Sequence, residues 1–169
     1  PMTFSKVLIT TLPFDPRAYI SDNSIFLIPS LSDIESLNAA LRETLIKAAA
    51  MISGLAKVSS STSDKSVGLS TLGITKAAGD FIAKKLRKMK KEVTIFHANG
   101  FGGGALSRFA RDGLLSGVID MTVHEKTRMV IDGVHSLDQE RYQTAGHLPR
   151  IVLPGGLNFI GLGARETLP

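Results

Sequence analysis

The sequence predicts an α/β protein: a Rossmann-like parallel sheet covered by helices, preceded by a fragment of a second α/β domain. Three observations carry this. From residue 66 onward, short β-branched or aliphatic runs alternate with segments of helical period. The connections between them are short, as successive strand–helix units require. A polar stretch, SSSTSDKS (59–66), separates this rhythm from what precedes it. The expected division is residues 1–58 as the C-terminal part of a first domain, a linker at 59–66, and a second domain over 67–169.

In chain order, KVLITTL (6–12) and SIFLIPS (24–30) have the length and composition of buried strands. FDPRAYISDN between them is turn-rich, with Asp15-Pro16 and Asp22-Asn23 as breakers. Ser32 or Asp33 then caps a long expected helix over 33–57, with Ile34, Leu37, Leu41, Leu45, Ile52 and Leu55 at helical spacing. Past the linker, SVGLSTLG (66–73) is a strand, and Thr75 caps a helix whose apolar positions are Ala78, Phe81, Ile82, Leu86 and Met89. EVTIFHA (92–98) is the next strand, then a glycine cluster and a helix through Leu106, Phe109 and Ala110. GVIDMT (117–122) is a third strand, HEKTRMVIDGV and LDQERYQTAG have helical patterns, and PRIVLPGG (149–156) returns to a strand.

Composition narrows the class. Hydrophobic content of 43% with 21% charged residues belongs to a globular protein, and no apolar run reaches the roughly 20 residues of a membrane span. There are no cysteines, which excludes disulfides and thiolate metal sites and fits a reducing compartment. PMTFSKVLITTLPFDP lacks the pattern of a secretory leader, so a cytoplasmic location is expected. The net charge of +5 comes from KKLRKMKK (84–91), without which the chain carries −1. Cations at a helix end are favoured by the dipole, and no aromatic interleaves with these lysines, so a nucleic-acid partner is not expected. Without a spanning apolar run, no membrane partner is expected either.

Parallel α/β sheets bind ligands beyond the carboxyl ends of their strands. Four such ends are rich in glycine or small polar side chains: STLGIT (70–75), HANGFGGG (97–104), DMTVHE (120–125) and LPGGLNF (153–159). They nominate Thr71, Gly73, Thr75, Asn99, Gly100, Gly102, Gly103, Gly104, Gly155 and Gly156 as nucleotide- or anion-binding positions. The glycine cluster is no Walker loop, because no Gly-Lys-Ser/Thr closes it. Nor is it a dinucleotide fingerprint, because it follows the second strand and Leu106 replaces the last small residue. Its expected role is to hold a phosphate or carboxylate on the amides of residues 102–105, against the plainer role of a tight turn. His97, Asp120 and Glu125 are candidate acid–base groups, with packing, capping and helix-start roles as their alternatives. His124 shares the Glu125 loop. No metal is expected, because these residues share no metal-ligand spacing. Arg108 and Arg111 sit near the end of the helix that follows the glycines.

The ordered motifs VGLSTLGIT, VTIFHANGFGGGALSRF, GLLSGVIDMTVHE and GHLPRIVLPGGLNFIGLG resemble the uncharacterised protein family that includes the tomato mosaic virus resistance protein. VLITTL and AYISDNSIFLIPSLSDIESLN resemble the end of that family's N-terminal domain. The resemblance implies two Rossmann-like α/β domains and binding of ATP or another nucleotide. It implies that the chain is the middle of a longer protein, with part of the nucleotide site on the absent N-terminal portion. The family pattern usually has Thr-Gly where this chain has Asn99-Gly100, and aspartates at Asn158 and near Ser24. The expectation is a nucleotide (ATP-like) or phosphoanion-binding protein, acting as a homo-oligomer or with its missing part. A small-molecule hydrolase or isomerase, or a regulatory protein-interaction module, is the alternative.

Overall fold

A computed structural model describes residues 5–11, 24–58, 64–131 and 139–160. The chain divides into two compact units, Pro1–Thr62 and Ser63–Pro169. The expected loop at 14–23, with Tyr19, and residues 59–63 of the expected linker lie outside the described residues.

In the first unit, β1 (Lys6–Thr10) and β2 (Ile25–Pro29) pair in parallel, Lys6 opposite Ile25 and Thr10 opposite Pro29. Helix α1 (Ala39–Leu55) packs on β1. It starts later than its periodicity predicts. Asn38, not Ser32 or Asp33, is the N-cap, its Oδ1 accepting from the Leu41 amide at 2.9 Å. Upstream, the Ser30 hydroxyl donates to the Ser32 carbonyl at 2.7 Å, a local bond that competes with helix formation. Ile34 and Leu37 therefore lie outside the helix, exposed. Leu41 and Ala48 are buried, whereas Leu45 and Ile52 on the same stripe are open to solvent.

The second unit is a four-stranded sheet built from β3 (Ser66–Thr71), β4 (Val93–His97), β5 (Leu115–Thr122) and β6 (Arg150–Gly155). Strand order is β4-β3-β5-β6, and every pairing is parallel. The first strand begins at Ser66, the last residue of the expected linker. Helix α2 (Lys76–Lys88) joins β3 to β4, α3 (Phe101–Arg111) joins β4 to β5, and α4 (His124–Val130) follows β5. The segment 139–146, expected to be helical, is a 3₁₀ turn (Gln139–Tyr142) followed by turns, and Ala145 has φ 55°. Residues 132–138, which include the end of the expected preceding helix, lie outside the described residues.

Alternation along the strands sends side chains to two cores, one on each face. Phe96, Leu106, Ala110, Leu115 and Val118 form the core under α3. Phe96 and Phe109 meet edge-on there, with ring centroids 5.3 Å apart. Leu69, Ala83 and Met121, with Ile82, Val93, Ile119 and Leu153, form the core under α2. The inward stripe of α2 is Gly79, Ile82, Ala83 and Leu86. Phe81 and Met89, expected inside, are 61% and 67% exposed, and Lys85 Nζ lies 5.3 Å from the centre of the Phe81 ring. Gly79 faces inward because α2 runs so close to Thr71 that a side chain there would collide with it.

Candidate functional site

The chain leaves β3 for β4 on one side and returns to β5 on the other, so strand order reverses between β3 and β5. At the carboxyl ends of such strands the outgoing loops diverge and leave a crevice. The two ends are tied together below it. Thr75 Oγ1 lies 2.6 Å from Thr122 Oγ1 and accepts from the Leu72 amide at 2.9 Å. Thr75 is thus the residue before α2, as expected, but its hydroxyl serves the strand ends instead of the helix. Thr71 is buried at the end of β3.

Above this tie lies a cleft of about 340 Å³ to which all four strand ends contribute. Leu72, Gly73 and Ile74 follow β3, and His97, Ala98 and Asn99 end β4. His124 and Arg128 come from α4, and Phe159 from the segment after β6. His97 is exposed at the rim. His124 is almost completely buried; its Nδ1 lies 2.9 Å from the Phe159 carbonyl oxygen, and its Nε2 accepts from Arg128 Nε at 3.2 Å.

Behind the cleft, the glycine cluster is the first turn of α3, because the helix begins at Phe101. Gly100 turns the chain into it with φ 96°, a conformation that side chains disfavour. The Gly100 amide donates to Glu125 Oε1 at 2.7 Å, the Gly102 amide to Asn99 Oδ1 at 3.1 Å, and the Gly104 amide to the Gly100 carbonyl at 2.9 Å. A side chain at Gly103 would run into the Glu125 carboxylate, and one at Gly102 into the His97 carbonyl. The negative charge that a helix N-terminus favours is here supplied by the protein itself. On β6, Gly155 lies against the Met121 backbone, and Gly156 turns away with φ 80°.

Glu125 and Asp120 are fully buried and share Arg141. Asp120 Oδ1 accepts from Arg141 Nη2 at 2.6 Å, and Oδ2 from Arg150 Nη1 at 2.7 Å. Arg141 Nε is 3.3 Å from Glu125 Oε2, an ionic contact without hydrogen-bond alignment. Burial pushes the Glu125 carboxyl above its ordinary value. Arg141 and the Gly100 amide oppose that shift, and the Asp120 charge reinforces it. Burial works against the charge on Arg141, but the Asp120 partner outweighs it and holds that guanidinium above its usual value. Of the three acid–base candidates, only His97 faces the cleft.

Arg128, Phe159, Arg141 and Arg150 escaped the sequence reading. One signal was present for the two last: an aspartate inside the buried strand GVIDMT needs a cation or a donor. Arg111 lines a different hollow, with Gln143, Thr144, Ala145 and His147. Among the described residues, no three His, Asp or Glu side chains gather as metal ligands, and no helix is long and apolar enough to cross a membrane.

Two descriptions from one family match the chain: "Uncharacterised protein family (UPF0261) N-terminal domain" over residues 1–61 and the corresponding C-terminal domain over residues 64–169. A UPF0261 protein of Rhizobium meliloti is 32% identical over 174 aligned positions, covering all of this chain and 44% of the relative. One from Clostridium tetani is 31% identical over 97% of this chain and 42% of its own length. The ToMV resistance protein Tm-1(GCR237) of tomato is 29% identical, covering all of this chain and 24% of the tomato protein. The chain thus spans less than half the length of these relatives.

Proposed function

This chain belongs to the uncharacterised protein family UPF0261, and we propose that it binds a nucleotide or another phosphorylated small molecule in the strand-end cleft. The observation that carries the reading is the convergence of Arg128, His97 and Asn99 on one cleft at the reversal of strand order. An arginine and the polar terminus of β4 suit a phosphoryl group, and Leu72, Ile74 and Phe159 offer apolar surface to the rest of the ligand. At about 340 Å³ the cleft lies within the usual small-molecule range of about 300–1,000 Å³.

In this reading Gly73 and Asn99 touch the ligand. Gly100, Gly102 and Gly103 act from behind, seating Glu125 and keeping the His97–Asn99 turn in place. ATP is the first nucleotide to test. The reading extends to a cytoplasmic protein that acts as an oligomer or with further parts of a longer polypeptide, and whose binding needs no metal ion.

Calorimetric titration with ATP, ADP and pyrophosphate tests it. Arg128→Ala is expected to weaken binding by at least about tenfold, the size of one lost hydrogen bond to a charged group. A folded chain that binds none of the three at up to about 1 mM would overturn the proposal.

A further inference from the structure

His124 sits where two walls of the cleft meet, with 1% of its surface exposed. Its ring contacts determine where its proton is. A guanidinium has only donors, so Arg128 Nε–H must meet an unprotonated Nε2, 3.2 Å away. The neutral ring then carries its hydrogen on Nδ1, where it is donated to the Phe159 carbonyl at 2.9 Å. An imidazolium would set an N–H against the Arg128 N–H, and the other neutral tautomer would lose both bonds. The ring is held by more than its nitrogens: it packs on Phe159 with centroids 5.3 Å apart, and a side chain at Gly156 would press on its Cβ. His124 and Arg128 are four residues apart on α4, the spacing at which helical side chains meet.

We propose that His124 is the positioning residue of the cleft: as the Nδ1-protonated neutral imidazole it aims Arg128 at the anionic group of the ligand and clasps the segment after β6 beside it. This rests on the phosphate-binding reading for the ligand, but the clasp does not.

Three measurements on the intact chain test it. Long-range ¹H–¹⁵N correlation of the imidazole at neutral pH is expected to show the Nδ1–H tautomer. An Nε2–H ring or an imidazolium overturns the proposal, whatever the chain binds. Pyrophosphate titration of His124→Phe, Arg128→Met and the double variant comes next. Each single change is expected to weaken binding about tenfold, and the double change no more than Arg128→Met alone, because one residue acts through the other. Additive losses overturn it. His124→Gln keeps an acceptor and a donor in one side chain and is expected to recover most of the affinity; failure to do so counts against positioning. The third measurement is amide exchange across residues 156–160, which is expected to quicken in His124→Phe. If the tautomer is right, pyrophosphate does not bind and exchange quickens, the binding reading falls and the clasp stands. Unchanged exchange overturns the clasp.

Discussion

Two side-chain clusters lie toward the carboxyl ends of the strands in the second unit, and they are built in opposite ways. Asp120, Glu125, Arg141 and Arg150 are closed: both carboxylates and Arg141 have no exposed side chain, and each charge faces an opposite one. His97, Asn99, Arg128 and Phe159 are open: they line the cleft, and none of them is fully buried. Residue type alone does not separate them, since both hold groups that bind anions or transfer protons. Access separates them. The closed cluster fixes the 139–150 segment and the glycine turn to the sheet, and the open one lines the cleft.

Removing a charge from the closed cluster is the most damaging change to the fold. Asp120→Ala leaves Arg141 buried without its closest partner, and is expected to cost about 3–5 kcal/mol in urea denaturation of the chain. A loss no larger than that of a surface substitution would mean that Arg141 finds water, and that the cluster is open after all.

Gly103→Ala tests the same cluster from the helix. The added methyl meets a carboxylate that Arg141 and the Gly100 amide hold in place, so it cannot swing aside as an exposed side chain would. Overpacking is expected to cost about 1–3 kcal/mol. Pairing it with Glu125→Ala removes the obstacle, so the double variant is expected to be more stable than the sum of the two single changes predicts. Strict additivity would show that Gly103 answers to some other neighbour.

A subtler test uses pH. The Glu125 carboxyl titrates above its unfolded value of 4.5, so the folded state holds that proton more tightly. Its contribution to stability is complete below the unfolded value and is lost as pH rises through the folded one. Denaturation midpoints of the wild type are therefore expected to fall, relative to Glu125→Gln, as pH climbs above 4.5. Parallel pH profiles would show that Arg141 compensates the charge completely.

The sequence made the frame of the second unit legible, because four apolar strand runs and their small-residue ends follow from local composition. It was less informative about faces. Phe81 and Met89 fit a helical stripe but point outward, since the approach of α2 to Thr71 is decided by sheet packing and marked locally only by Gly79. It did not reveal which group the glycines meet. Their crowding signalled that something comes close, but the neighbour is Glu125, a carboxylate 22 residues further along the chain. Only the parallel pairing of β3 with both β4 and β5 brings the two together. Arg128 was hidden for a similar reason: nothing local to a short helix shows that its guanidinium bonds His124 and lines a cleft shared with β3, β4 and the segment after β6.

At the rim of the cleft, a substitution is expected to leave stability almost untouched. His97 ends β4 at the rim, its side chain exposed and its backbone carbonyl packed against Gly102. His97→Ala keeps that backbone, so the fold is expected to shift by no more than about 0.5 kcal/mol. If the cleft takes a phosphoryl group, the same change weakens ATP binding, because an imidazole at the rim is within reach of the ligand and of nothing in the core. Asp120→Ala should show the reverse, losing fold stability first and binding only in consequence. A His97→Ala chain that melts as early as Asp120→Ala would place the rim inside the closed network. The division between architecture and access would then fail at β4.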